Sequence, residues 1–84
     1  MTAETRIREY ILENYLFTDD QSALADDDSF LDKGILDSTG ILEVIYFLEE
    51  EFGIKVEDHE MVPENLDSVA RIGRYLRGKQ AAAA

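Results

Sequence analysis

Apolar residues recur along the first seventeen positions at helical spacing. Ile7, Ile11 and Tyr15 stand four apart, with Leu12 and Leu16 beside them, the stripe of an amphipathic helix. The spacing predicts a first helix over residues 3–17, capped by Thr2 or Thr5. The pattern then breaks. Over residues 18–37, Thr18-Asp19-Asp20 and Asp26-Asp27-Asp28-Ser29 favour turns and caps over helix interior. Phe30, Leu31, Ile35 and Leu36 are the apolar anchors of this long loop, and Gly34 predicts a tight turn with positive φ. A loop of this length with buried-looking anchors points to function.

Helical spacing returns after the loop. Asp37 or Ser38 caps a second helix whose inward stripe is Ile41, Val44, Ile45, Leu48 and Phe52. Glu43, Glu49, Glu50 and Glu51 make its polar face, and Gly53 is its expected stop. Ile54 and Val56 form a short extended link. Glu57 to Val62 are expected to make one helical turn, ended by Pro63. Asp67 or Ser68 caps a last helix with Val69, Ile72, Tyr75 and Leu76 on its apolar side, stopped by Gly78. The expected class is all-α: a small four-helix bundle of three main helices and one short one, with a long first loop. Residues 1–78 form a single domain, and residues 79–84 are a flexible C-terminal tail.

Composition narrows what such a bundle does. At 84 residues the chain has core for one domain only, and 45% hydrophobic residues are too many for a wholly disordered one. Nineteen acids against eight bases give a net charge of −11. That surface repels nucleic-acid phosphate and anionic lipid and favours basic protein surfaces. The charge is unevenly spread. Residues 19–52 are net −10 and residues 70–84 net +4, so the middle of the chain is the acidic face. The absence of cysteine rules out a disulfide scaffold, a thiolate zinc site and a cysteine nucleophile, and fits a reducing compartment. No apolar run is long enough for a membrane span, and Met1 to Phe17 lacks the unbroken apolar stretch of a secretory signal. The expected location is the cytoplasm.

Ser38 carries the candidate chemistry. It stands where the long loop turns into the acidic helix. Local sequence reads it equally as an N-cap or as an exposed hydroxyl open to covalent modification, where a phosphate diester would meet the helix dipole and free N–H groups. Nothing suggests an enzymatic nucleophile. The one histidine, His59, reads as a solvated loop residue with no base or oxyanion hole around it. Leu66-Asp67-Ser68 repeats the tripeptide Leu36-Asp37-Ser38, but arginines follow it in place of acids, and Ser68 reads as a plain helix cap. The Asp26–Asp28 run and Asp32 do not fit the register of a calcium loop, and no metal site is expected. Leu42 and Tyr46 follow Ser38 at four-residue steps. They either broaden the buried face or form an apolar docking spot ringed by Glu43, Glu49 and Glu50.

These residues resemble a known family. Phe30-Leu31-Asp32-Lys33-Gly34-Ile35-Leu36-Asp37-Ser38, then Leu42-Glu43 and Phe47-Leu48-Glu49-Glu50-Glu51-Phe52-Gly53-Ile54, look like an acyl carrier protein over nearly the whole chain. The resemblance implies that Ser38 receives 4′-phosphopantetheine from coenzyme A, with Asp37 helping to position a phosphopantetheinyl transferase and its metal. The chain would then carry an acyl or aminoacyl group as a thioester, as a substrate of enzymes and not an enzyme itself. Its partners would be that transferase, a loading ligase and acyl-transferring enzymes. Their basic patches would read Leu42, Glu43, Tyr46, Glu49 and Glu50. The setting would be fatty-acid or specialised lipid biosynthesis, with the carrier a monomer. Thr39 and Gly40 stand where fatty-acid carriers have leucine and an acid, and two residues rather than one separate Gly34 from Asp37. Both features bring the chain closer to stand-alone carriers such as the D-alanyl or other aminoacyl type. The alternative of another class is an unmodified acidic interaction module that binds basic partners.

Overall fold

The computed structural model describes residues 2–83. Four α-helices follow one another: α1 (Ala3–Ile11), α2 (Ser38–Phe52), α3 (Pro63–Leu66) and α4 (Val69–Ala83). The bundle is all-α, as expected. Ile7, Ile11 and Leu12 from the first helical segment meet Val44, Ile45 and Leu48 of α2 and Val69, Ile72 and Leu76 of α4 in one buried cluster. Leu24, Phe30, Leu36, Val56 and Leu66 close that cluster from the connecting segments.

The first segment differs from the single helix expected over residues 3–17. Thr2 caps α1, its hydroxyl accepting from the Thr5 amide at 3.1 Å. From Leu12 to Leu16 the helix widens into a π-helical turn, and it ends at Phe17 in a left-handed conformation, φ 55°. The wider turn keeps Leu12 in the core while Tyr15 and Leu16 are only partly covered and Phe17 is exposed. Before it, Tyr10 of α1 stacks on Phe47 of α2 with ring centroids 4.0 Å apart.

The 18–37 loop is tied down along its length. The Arg8 guanidinium pairs with Asp26 and donates to the Leu24 carbonyl, and the Ala70 amide donates to the Asp26 carbonyl at 2.8 Å. Asp28 accepts from the Ala25 amide and pairs with Lys33. Asp26 and Asp28, two of the acids expected to favour turns here, thus serve to anchor the loop.

Two expected boundaries move. The turn after Val56 is a short 3₁₀ segment, Asp58–Glu60, and Pro63 does not end it. Pro63 instead opens α3, where its missing N–H costs nothing because a first-turn amide has no intrahelical acceptor. Nor does Gly78 end α4, which continues to Ala83. Lys79, one residue beyond Gly78, pairs with Glu60 at 2.9 Å, and four alanines favour helix beyond it. Ala84 lies outside the described residues.

Glu60 gathers this corner. It accepts from the Glu57 amide, the Tyr75 hydroxyl and the Lys79 ammonium. The Glu57 amide first, and then Lys79, lower its carboxyl to about 2. A folded-state value below the unfolded one gives stability that is present above the unfolded value, 4.5, and is lost as pH falls toward 2. Urea midpoints measured from pH 6 to pH 2 are expected to drop across that window, and Glu60→Gln is expected to flatten the drop. An equal drop in the variant would exclude Glu60 as its source.

Candidate functional site

The start of α2 is built by division of labour. Asp37, extended at φ −103° and ψ −171°, is the N-cap, and its carboxylate accepts from the Gly40 amide at 2.8 Å. Ser38 is therefore the first residue inside the helix and not its cap. It is exposed, and its hydroxyl makes no hydrogen bond among the described residues. The Ser38 and Thr39 amides, at the first turn, have no acceptor within the helix. An anion joined to Ser38 Oγ would meet those donors and the positive end of the helix dipole.

The second Leu-Asp-Ser shifts these roles by one residue. Ser68, 3% exposed, caps α4, its Oγ accepting from the Arg71 amide at 3.1 Å. Asp67 is then free for another task. Its buried carboxylate accepts from the Ser29 hydroxyl and, at 3.0 Å, from the Leu31 amide, while its carbonyl accepts from the Phe30 amide at 2.9 Å. This clamp joins the start of α4 to the segment that leads into Ser38. Phe30, fully buried, anchors the turn, and its carbonyl accepts from the Ile35 amide at 2.8 Å. Gly34 supplies the expected positive φ, 67°.

Two depressions flank Ser38, and Leu31 borders both. One, of about 320 Å³, runs between α2 and α3 and is lined by Ile41, Leu42, Ile45, Met61, Val62 and Leu66. The other, an open trough of about 800 Å³, lies toward the end of the first helical segment, with Asp37, Thr39, Glu43 and Tyr15 on its walls.

The expected docking residues fall into separate settings. Leu42 and Tyr46 are 59% and 65% exposed, so they do not broaden the buried face. Glu50 is exposed beside them in sequence. Glu49 is turned inward: its carboxylate accepts from the Val56 amide at 3.0 Å and holds the link after α2. Glu43 accepts from the Tyr15 hydroxyl at 2.9 Å. Burial first, and then the Glu43 carboxylate, push the Tyr15 hydroxyl well above its ordinary value, which keeps it a donor. His59 is exposed in the 3₁₀ turn.

Gly40 is buried in the first turn of α2. A Cβ there would lie 3.0 Å from Leu36 Cδ2 and 3.3 Å from Leu36 Cβ, so the glycine lets the loop close onto the first turn of α2. Gly40→Val is expected to cost about 1–3 kcal/mol by crowding Leu36. Thermal unfolding checks this; an unchanged midpoint would show that Leu36 moves aside freely.

Comparison with known proteins decides the family. The D-alanyl carrier proteins of Streptococcus pyogenes serotype M1 and of serotype M5 (strain Manfredo) are each 40% identical to this chain over 68 residues, 79% of this chain and 85% of theirs. The chain belongs to the acyl carrier protein family. No family model matches the sequence. The solution structure of a holo acyl carrier protein from Nitrosomonas europaea aligns with a TM-score of 0.78 over 96% of this chain and 99% of that one. At 21% identity this is a likeness of fold. The chain is a carrier and not an enzyme, of a family that carries 4′-phosphopantetheine. Among the described residues, no helix is long and apolar enough to cross a membrane.

Sequence reasoning passed over four residues that shape this carrier's site: Ser29, Asp67, Tyr15 and Leu31. One signal was present for Asp67. Asp67 and Ser68 offered two caps for one helix start, which leaves one of them available for a tertiary bond.

Proposed function

We propose that this protein is a D-alanyl carrier, loaded through a 4′-phosphopantetheine arm on Ser38. The observation that carries the reading is the Ser38 hydroxyl, exposed and uncommitted at the first residue of α2 because Asp37 performs the cap. The cargo is argued from the D-alanyl carrier proteins at 40% identity, and the Thr39-Gly40 sequence after the serine supports it.

In the attachment step Ser38 Oγ attacks the phosphorus of coenzyme A that bears the pantetheine. A new O–P bond forms, the bridging P–O bond of the pyrophosphate breaks, and 3′,5′-ADP leaves. The Oγ proton passes to a base on the phosphopantetheinyl transferase. Asp37, next to Ser38 and exposed, lies where that enzyme and its metal must approach. Once attached, the arm supplies a terminal thiol that holds the cargo as a thioester.

The remaining residues serve delivery. Leu42 and Tyr46 present apolar contact on α2. Glu50 and Glu43 add the charge that steers a basic partner, with Glu49 contributing field more than contact because Val56 occupies it. Docking of this kind is fast and weak, so the carrier leaves one enzyme for the next, while the tether keeps the cargo at high local concentration. Dependence on coenzyme A argues for loading in the cytoplasm, and the partners are the transferase, a D-alanine-activating ligase and a D-alanyl-accepting enzyme. The carrier works as a monomer.

Intact mass tests this reading in two steps. With coenzyme A and a phosphopantetheinyl transferase the chain is expected to gain one phosphopantetheine. With D-alanine, ATP and an activating ligase it is then expected to gain one alanyl group. No first gain, even with the transferase of the same organism, would favour an unmodified interaction module. A first gain without the second would keep the carrier and remove D-alanine.

A further inference from the structure

The two depressions that meet at Ser38 differ in chemistry. The cleft between α2 and α3 is lined mainly by apolar side chains, and its one carboxylate, Asp67, is engaged through both oxygens by the Ser29 hydroxyl and the Leu31 amide. A cationic group placed there would shed water and find no uncommitted carboxylate oxygen. The trough on the other side has a carboxylate, Glu43, held in place by a phenol. Tyr15 packs edge-on against Tyr10 with centroids 6.0 Å apart, and Tyr10 is stacked on Phe47 of α2. The Tyr15–Glu43 pair is thus braced by aromatic contacts, and the hydroxyl uses one carboxylate oxygen, leaving the other for a second donor.

We propose that this trough receives the charged end of an aminoacyl-loaded arm, with Glu43 accepting from its ammonium group and Tyr15 acting as the positioning residue for Glu43. The proposal rests on the reading of Ser38 as the attachment site. Glu43 lies five residues after Ser38, about 7.5 Å along the helix axis at the α-helical rise, so the arm folds back over the first turn of α2 to reach it. A neutral acyl group of the same shape has nothing to gain from Glu43 and buries more apolar surface in the cleft between α2 and α3. The two sides of Ser38 therefore sort cargo by charge, and Leu31, at the edge of both, is the divide.

The test compares two cargoes of equal shape. A phosphopantetheinyl transferase transfers the loaded arm from D-alanyl-coenzyme A or from isobutyryl-coenzyme A, in which a methyl replaces the ammonium. Intact mass establishes that each arm is attached; no gain with either would overturn the attachment, and this proposal with it. Amide ¹H–¹⁵N shifts are then read against the carrier bearing the free thiol. The D-alanyl arm is expected to move the signals of Tyr15, Gly34 and Glu43, and the isobutyryl arm those of Ile41 and Ile45. Glu43→Gln is expected to lose the D-alanyl shifts, and Tyr15→Phe to weaken them. If both loaded arms give the same shift map, or if the D-alanyl shifts survive in Glu43→Gln, Glu43 does not read the ammonium and the trough proposal fails while the attachment stands.

Discussion

Ser38→Ala incubated with coenzyme A and a phosphopantetheinyl transferase is expected to gain no mass, and Ser68→Ala to gain as much as the parent chain. Stability is expected to respond the other way. The Ser38 side chain is exposed and bonds to nothing among the described residues, and Asp37 keeps the cap when it is removed. Such a surface change stays within about 0.5 kcal/mol, which for a domain of this size moves the melting temperature by less than about 4 °C. Ser68 is buried and holds the Arg71 amide at the start of α4. Its loss is expected to cost about 1 kcal/mol and to lower the melting temperature by about 4–8 °C. Mass and melting on the same four samples (parent, two single variants, double variant) separate the two serines. A gain that persists in Ser38→Ala and vanishes in Ser68→Ala would move the attachment and remove the basis of the proposed function.

The largest expected loss of stability lies at Asp67. Asp67→Ala leaves the Ser29 hydroxyl and the Leu31 amide without their acceptor. Bonds to a buried charged group each contribute more than neutral ones, and the cost is expected to be about 2–4 kcal/mol. Against a total of roughly 4–12 kcal/mol for a chain of this length, that is a large share. Asp67→Asn keeps one carbonyl oxygen for the Leu31 amide and is expected to lose less. The clamp also sets where Leu31 lies beside Ser38, so Asp67→Ala is expected to slow phosphopantetheine transfer in the fraction that remains folded. Urea unfolding and the amide signals of residues 29–38 check both effects. A change under about 0.5 kcal/mol, with those signals unmoved, would remove Asp67 from the account of the site.

The elements differ in how far local sequence reveals them. The extent of α2 was legible because a capping pair, an apolar stripe and a glycine stop agree over fifteen residues, and it runs from Ser38 to Phe52 with Gly53 left-handed after it. The first segment was legible as helical but not as a π-turn, since a one-residue widening leaves hydrophobic spacing nearly intact over a single turn. The short helix was misplaced because proline, read after Val62, can end one turn or open the next with equal sense. Gly78 misled for a similar reason. A glycine within a helix costs about 1 kcal/mol, which the alanines after it and the Lys79–Glu60 pair offset.

At the site, the sequence by itself determined that one hydroxyl stands at the head of an acidic helix, and it separated Ser38 from Ser68 through their flanking charges. It also determined the acidic balance of the chain, since net charge does not depend on the fold. Only the tertiary structure decided which Leu-Asp-Ser gives its aspartate to the cap and which gives its serine. It alone turned Glu49 inward, bound Glu43 to Tyr15, and buried Gly40 against Leu36. The reason is one of range. The presence of a cap near a helix start, the apolar stripe and the charge balance are set by neighbours within about one helical turn, whereas which of two adjacent residues does the capping follows from whether the other is drawn into a distant bond, as Asp67 is. The partner of a given carboxylate is set by residues that are distant in the chain, as with Asp67 and Ser29, 38 positions apart. Such a contact leaves no local signature, because either residue would look the same in the sequence without the other.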